Sequence, residues 1–213
     1  MRDHLTVALQ ETLQMVWVSA VLTALGGLAL GVLLVLTDRG GLAPSAPVNR
    51  VLGLVVNIGR SLPFIILMIA VIPLTRALVG TTIGTAAAIV PLTIGAIPFY
   101  ARLAETALRE VDPGVVAAAR AMGASRRQIV GKVLLREARP GLVAGMTVTV
   151  ITLVGYSAMA GAIGGGGLGD LAIRYGYLRF ETGTMIACVA VLIVLVQVIQ
   201  MLGDLVVRRL SHK

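Results

Sequence analysis

Long uncharged apolar stretches dominate this chain and restrict which solvent it can fold in. They run from Thr12 to Thr37, Ser61 to Thr75, Ala77 to Ala101, Pro140 to Gly169 and Thr182 to Gly203. A helix rises ~1.5 Å per residue and the hydrocarbon core of a bilayer is ~30 Å thick, so about 20 apolar residues make one crossing. The second stretch reaches that length only if its helix continues past Arg76 to Val79, with the arginine extending up to the headgroups. The sequence therefore predicts an all-α membrane protein with about five transmembrane helices, residues 1–213 forming a single domain. Charged residues make up 13% of the chain and mean hydropathy is +0.95, against about 25% charged in soluble domains.

Charge then sets the direction of threading, because Lys and Arg collect in loops that stay in the cytoplasm. Five spans put the termini on opposite sides. With the segment from Arg102 to Arg139 inside, only Arg2, Arg76, Arg174 and Arg179 of the 18 basic residues are outside, balanced by Asp3, Glu11, Asp170 and Glu181 of the 10 acids. The inner side then carries the whole net charge of +8, with the N-terminus outside and the C-terminus cytoplasmic. This asymmetry reflects orientation and contact with anionic lipid, not nucleic-acid binding. The first residues lack the basic region, short apolar core and cleavage site of a signal peptide. Cys188, the one cysteine, lies mid-span, so no intrachain disulfide forms and core packing is its expected role. No internal repeat is visible, and five helices make a thin wall, so a pathway enclosed by two copies about a twofold axis is expected.

Pro63, Pro73, Pro91 and Pro98 fall in the second and third spans. Each removes a backbone donor and frees a carbonyl, which favours a place inside a bundle or beside a cavity over a lipid-facing one. The segment Gly161 to Asp170 is too rich in glycine to continue a regular helix. Its Gly167-Leu-Gly169-Asp170 matches the short pattern of intramembrane aspartyl proteases. That chemistry needs two carboxylates sharing a proton, and no second Asp or Glu lies in an apolar stretch. His4 and His212 stand at opposite ends, and neither a metal-ligand cluster nor a phosphate-binding loop occurs. No enzyme activity is expected of the chain.

Residues 112–137 carry the most local information. Asp112 with Pro113 reads as a helix start, Gly123 as the left-handed residue that ends it, and Ser125 to Gln128 as a capping box opening a second helix. Val115, Val116, Ala119 and Met122 are expected to share one face, and the second helix carries Arg126, Arg127, Lys132, Arg136 and Arg139 toward Pro140. A solvated basic loop does not need two caps and an apolar face, so this helix pair is read as a docking element for a cytoplasmic protein.

Ala117-Ala-Ala-Arg-Ala-Met-Gly123, followed by Ile129, Val133 and Leu135, resembles the cytoplasmic signature loop of ABC importer permeases. That loop begins Glu-Ala-Ala and has Gly six positions after the Glu. Here Ala117 takes the place of the Glu and Arg136 that of the closing Pro, which removes any salt bridge of that Glu while leaving the helix-turn-helix pattern. Asn57-Ile-Gly-Arg-Ser-Leu-Pro-Phe-Ile-Ile-Leu67, Ala88-Ile-Val-Pro-Leu-Thr93 and Leu153-Val-Gly-Tyr-Ser-Ala-Met159 resemble the permeases of bacterial methionine importers. The resemblance implies a type I ABC importer permease fold in the inner (plasma) membrane. It also implies a homodimer with two separate ATP-binding subunits, which hold ATP and Mg, and an outer methionine-binding protein; no cofactor is expected in this chain. It further implies that Ala117, Ala118, Arg120, Ala121, Met122 and Gly123 form the coupling surface.

A zwitterion with a thioether needs an apolar cavity with a few polar groups. The polar or soft residues within spans, Asn57, Ser61, Thr93, Tyr156, Ser157 and Met159, are the pathway candidates, each with an alternative role in helix packing. A channel or secondary carrier working without an ATPase is the competing reading. The mid-membrane charge that often marks a coupling ion in such carriers is absent from the sequence.

Overall fold

The structure is a computed structural model and describes residues 2–211. His212 and Lys213, expected in the basic tail, lie outside the described residues. Among the described residues eleven α-helices follow in chain order: α1 (Arg2–Thr37), α2 (Ala46–Ser61), α3 (Phe64–Ala70), α4 (Ile72–Val79), α5 (Thr85–Arg109), α6 (Pro113–Ala121), α7 (Arg126–Gln128), α8 (Leu135–Glu137), α9 (Arg139–Gly161), α10 (Gly167–Leu171) and α11 (Thr182–Ser211). Ile129–Leu134 and Ala172–Tyr177 are π-helical turns joining α7 to α8 and extending α10. Four helices, α1, α5, α9 and α11, are long and apolar enough to cross a bilayer, and the bent pair α2 and α3 raises the count to five.

α1 and α5 form the spine. Ser19, Thr23, Gly27 and Gly31 recur every four residues and so lie on one face of α1. A Cβ on Gly27 would lie 2.9 Å from the Tyr100 ring, and one on Gly31 2.8 Å from the Ala104 Cβ. The pairing 27 to 100 and 31 to 104 makes the two helices parallel, as the first and third spans of a threaded chain must be. Close backbone approach of this kind drives helix association where lipid is as apolar as leucine. α9 runs antiparallel to α5, with Gly141 against Ala107 and Gly145 against Leu103, and α11 packs back on α9 with Gly203 on Thr147. The central core joins Met15, Val16, Ala20, Leu92, Ala96 and Leu153.

The span boundaries differ from those expected. The third span starts at Thr85, not Ala77, because Gly80 (φ +79°) and Gly84 (φ +92°) break the chain first. It continues beyond Ala101 to Arg109 because the charges there pair with one another, as described below. The fourth ends at Gly161, before Gly169. There the backbones of Gly161 and Gly169 pack so closely against Asp170 and Ala158 that neither position has room for a Cβ. The predicted single helix from Ser61 to Val79 is corrected most. Pro63 forces Leu62 into an extended conformation (φ −81°, ψ 126°), and the chain bends 106° between α2 and α3. A second break at Val71 precedes Pro73. Residues 46–60, which precede the predicted second span, form α2, which lies on α5 with Val56 against Ala101 and Gly59 against Pro98. Pro91 and Pro98 do sit inside the bundle, both buried within α5.

Candidate functional site

The helix pair between α5 and α9 forms as its caps dictate. Asp112 Oδ1 accepts from the Gly114 N–H at 2.7 Å and Pro113 occupies the first turn of α6. Gly123 (φ +80°) closes the helix, with its N–H donating to Arg120 O at 2.9 Å and the Ala124 N–H to Ala119 O at 3.0 Å. Ser125 and Gln128 complete the capping box, the Ser125 N–H reaching Gln128 Oε1 at 2.8 Å. Nothing lies within 4 Å of a Cβ placed on Gly123, so its backbone angle, not crowding, requires glycine.

Val115, Val116, Ala119 and Met122 lie on one side of α6, as their spacing predicts, but only Ala119 is buried. Ala119 is 5% exposed and packs with Ile129 and Leu134, with Val116 beside them. Met122 is 81% exposed and Val115 is turned outward. α6 has nine residues and the π-helical turn from Ile129 meets only one edge of it, so the opposite edge remains free. Ala117, Ala118, Arg120, Ala121, Met122 and Gly123 are all exposed on that free edge and the turn after it. The π-helical turn also means that the second helix of the pair is not regular, and Pro140 opens α9 instead of ending a helix.

An ionic cluster stiffens the approach to α6. Glu105 has a side chain 6% exposed and accepts from Arg102 Nη1 at 2.7 Å, Arg109 Nη2 at 2.8 Å and Arg109 Nε at 3.0 Å. Arg109 Nη1 also meets Asp38 Oδ2 at 2.6 Å. The Arg39 N–H and the Arg109 guanidinium beside Asp38 hold its carboxyl below the usual aspartate range. The spacing of Arg102, Glu105 and Arg109 announces the first part of this cluster, whereas Asp38 lies 71 residues from Arg109 and carries no local signal. At the opposite end of the bundle, Glu11 Oε2 accepts from the Gly167 N–H at 2.7 Å and Thr12 Oγ1 from the Leu168 N–H at 2.9 Å. α1 thus caps α10. Asp170 pairs with Arg174 at 2.8 Å and not with a second carboxylate.

The pathway candidates divide. Asn57 and Ser61 are exposed at the end of α2, with Ser61 Oγ donating to Asn57 O at 2.8 Å. Tyr156 stacks on Phe64 at 4.2 Å and shares a small hollow with Arg60 and Phe99 at the α2–α3 bend. Met159 is half exposed. Ser157 is 2% exposed and donates to Val154 O at 2.7 Å, so its hydroxyl is spent within α9. Thr93 Oγ1 is buried with no hydrogen-bond partner among the described residues.

Residues 27–212 match the family model described as the binding-protein-dependent transport system inner membrane component. The chain belongs to this family. Among similar permeases, the probable D-methionine transport system permease protein MetI of Vibrio cholerae is 56% identical over 211 residues, covering 99% of this chain and 94% of the relative. The methionine import system permease protein MetP of Bacillus subtilis is 49% identical over 174 residues, covering 82% and 78%. A crystal structure of the MetNI methionine ABC transporter in an inward-facing conformation superposes with a TM-score of 0.98 at 50% identity, covering 100% of this chain and 98% of that one. An amino acid ABC transporter with histidines superposes at 0.79 with 20% identity, covering 98% and 94%, and shows the shared fold alone. The fold is therefore that of a type I ABC importer permease, an inner membrane component built from helices.

Proposed function

We propose that this chain is the membrane-spanning subunit of an ATP-driven methionine importer. Two copies enclose the pathway, two ATP-binding subunits bind at the basic end, and a methionine-binding protein delivers substrate at the other. The N-terminus is outside and the C-terminus cytoplasmic, as the basic asymmetry of the loops favours. The observation that carries the reading is α6: a short helix capped at both ends, exposed along one edge, and packed through Ala119 and Val116 in the same apolar cluster as Leu108 of α5. The relatives named above, permeases of methionine and D-methionine transport systems, support the substrate.

The small side chains of Ala117, Ala118 and Ala121 permit close approach of a partner surface, and Met122 supplies an adaptable apolar contact. Closure of the ATPase pair around ATP moves α6, and the packing of Ala119 and Val116 with Leu108 passes that movement to α5, whose packing carries α1 and α9 with it. Because packed helices shift as rigid bodies, the result is alternating access between inward and outward openings. Asn57, Ser61 and Tyr156 at the α2–α3 bend, with Met159, are the groups placed to meet a passing thioether zwitterion; Thr93 and Ser157 serve helix packing.

The test is uptake of labelled methionine by proteoliposomes holding the permease, its copurified ATP-binding subunit and the binding protein. ATP is expected to drive accumulation, and excess unlabelled D- or L-methionine to compete. Accumulation by the permease alone, without the ATPase, would establish the competing channel or carrier reading.

A further inference from the structure

We propose, on the strength of the functional reading above, that residues 38–45 are a second arm of the coupling device and deliver the movement of α6 to the bent second span. This corner joins α1 to α2 and is reached from the coupling region at two points. Arg109, at the end of α5, holds Asp38 at 2.6 Å, and Arg120, on α6, extends Nη2 to within 3.5 Å of Gly41 O. Between corner and helix lies a cavity of about 550 Å³ lined by Leu36, Leu42, Val111, Val116 and Leu134. The two elements are thus joined by the two arginines and by Leu42, which is buried in one apolar cluster with Ala119 and Val116 of α6, while the cavity beside them leaves α6 room to shift.

Beyond the corner the connection is stiff, then deliberately loose. Asn49 Nδ2 donates to Leu34 O at 2.7 Å and to Thr37 Oγ1 at 3.1 Å, locking the first turn of α2 to the last turn of α1. α2 then ends at the 106° bend, where Pro63 gives α3 neither a side-chain cap nor an N–H. A rigid lever ending in a sharp bend concentrates displacement at the bend. Asn57 and Ser61 stand there. Asp38, Arg109 and Asn49 are thus positioning residues: they touch no substrate, but set how far the bend moves when α6 moves.

The experiment is methionine taken up per ATP hydrolysed in the reconstituted complex of permease, ATP-binding subunit and binding protein. Asp38→Asn cuts the tether at its weaker, solvent-accessible end, where the side chains are 35% and 47% exposed, so the fold and copurification of the ATPase persist. The ratio is expected to fall at least ~5-fold, the lower range of coupling between linked sites. Asp38→Glu, which keeps a carboxylate facing Arg109, is expected to retain most of the ratio. An unchanged ratio in Asp38→Asn would overturn the proposal. So would an equal loss in Asp38→Glu, because the charge pair with Arg109 would then be irrelevant. Failure of the unaltered complex to show ATP-driven uptake would instead remove the underlying functional reading, and is seen before any variant is made.

Discussion

Replacing Gly123 with valine separates two reasons why a coupling loop can require glycine. The residue sits at φ +80°, in the left-handed region, where an L side chain costs roughly 1–2 kcal/mol and a β-branched one more. A Cβ at this position meets no atom within 4 Å, so the whole penalty is conformational. It falls on the turn that aligns α6 with α7, where the Gly123 and Ala124 N–H groups close the end of the helix. A strain of that size lowers the population of the native turn about 5- to 30-fold, while the spans, which do not touch the position, stay folded. Gly123→Asn should recover most of the loss, since asparagine is the residue next best suited to left-handed geometry. The assay is ATP-driven methionine uptake alongside amide exchange over residues 113–128. Gly123→Val is expected to abolish uptake, weaken copurification of the ATPase and speed exchange, with Gly123→Asn near the unaltered protein. Unchanged uptake in the valine variant would refute the coupling role. An asparagine variant as defective as valine would show that space against the partner, not backbone angle, is the requirement.

Three further outcomes are expected. Gly31→Leu drives a side chain into Ala104 and the Ala101 carbonyl, so thermal unfolding in detergent should report a loss of about 1–3 kcal/mol, while Gly53→Ala, with nothing within 4 Å, should be neutral. Glu11→Ala leaves the Gly167 N–H without its acceptor and should cost about 1–3 kcal/mol, read as faster exchange of residues 167–171. Because the Asp38 carboxyl is held below its ordinary value, its contribution is present above about pH 4 and is lost as pH falls through its lowered folded value. Uptake per ATP should therefore not change on account of Asp38 between pH 5 and 8, and an Asp38-dependent step in that window would contradict the geometry.

Much of this protein was fixed by its sequence read locally. Span number followed from the length of apolar runs, because each helix must satisfy its own backbone in lipid. The ends of α6 and the start of α7 followed from Asp112, Pro113, Gly123, Ser125 and Gln128, because a cap is a bond between residues two or three apart. Tertiary structure decided the rest. The faces of α6 depend on where the turn from Ile129 lies against it, so Met122 could not be separated from Ala119 by periodicity over so short a helix. The start of α2 falls outside the uncharged runs because residues 46–60 carry Arg50 and Arg60, and where it lies, on α1 and α5, is set by packing. The four-residue ladder on α1 could be counted in the sequence, but only its partner shows that Ala104 and Tyr100 fill it. Arg109 to Asp38 and Glu11 to Gly167 join residues 71 and 156 positions apart. Such contacts exist only after the helices pack, because the sequence sets which groups need a partner and the packed bundle selects which one each of them finds.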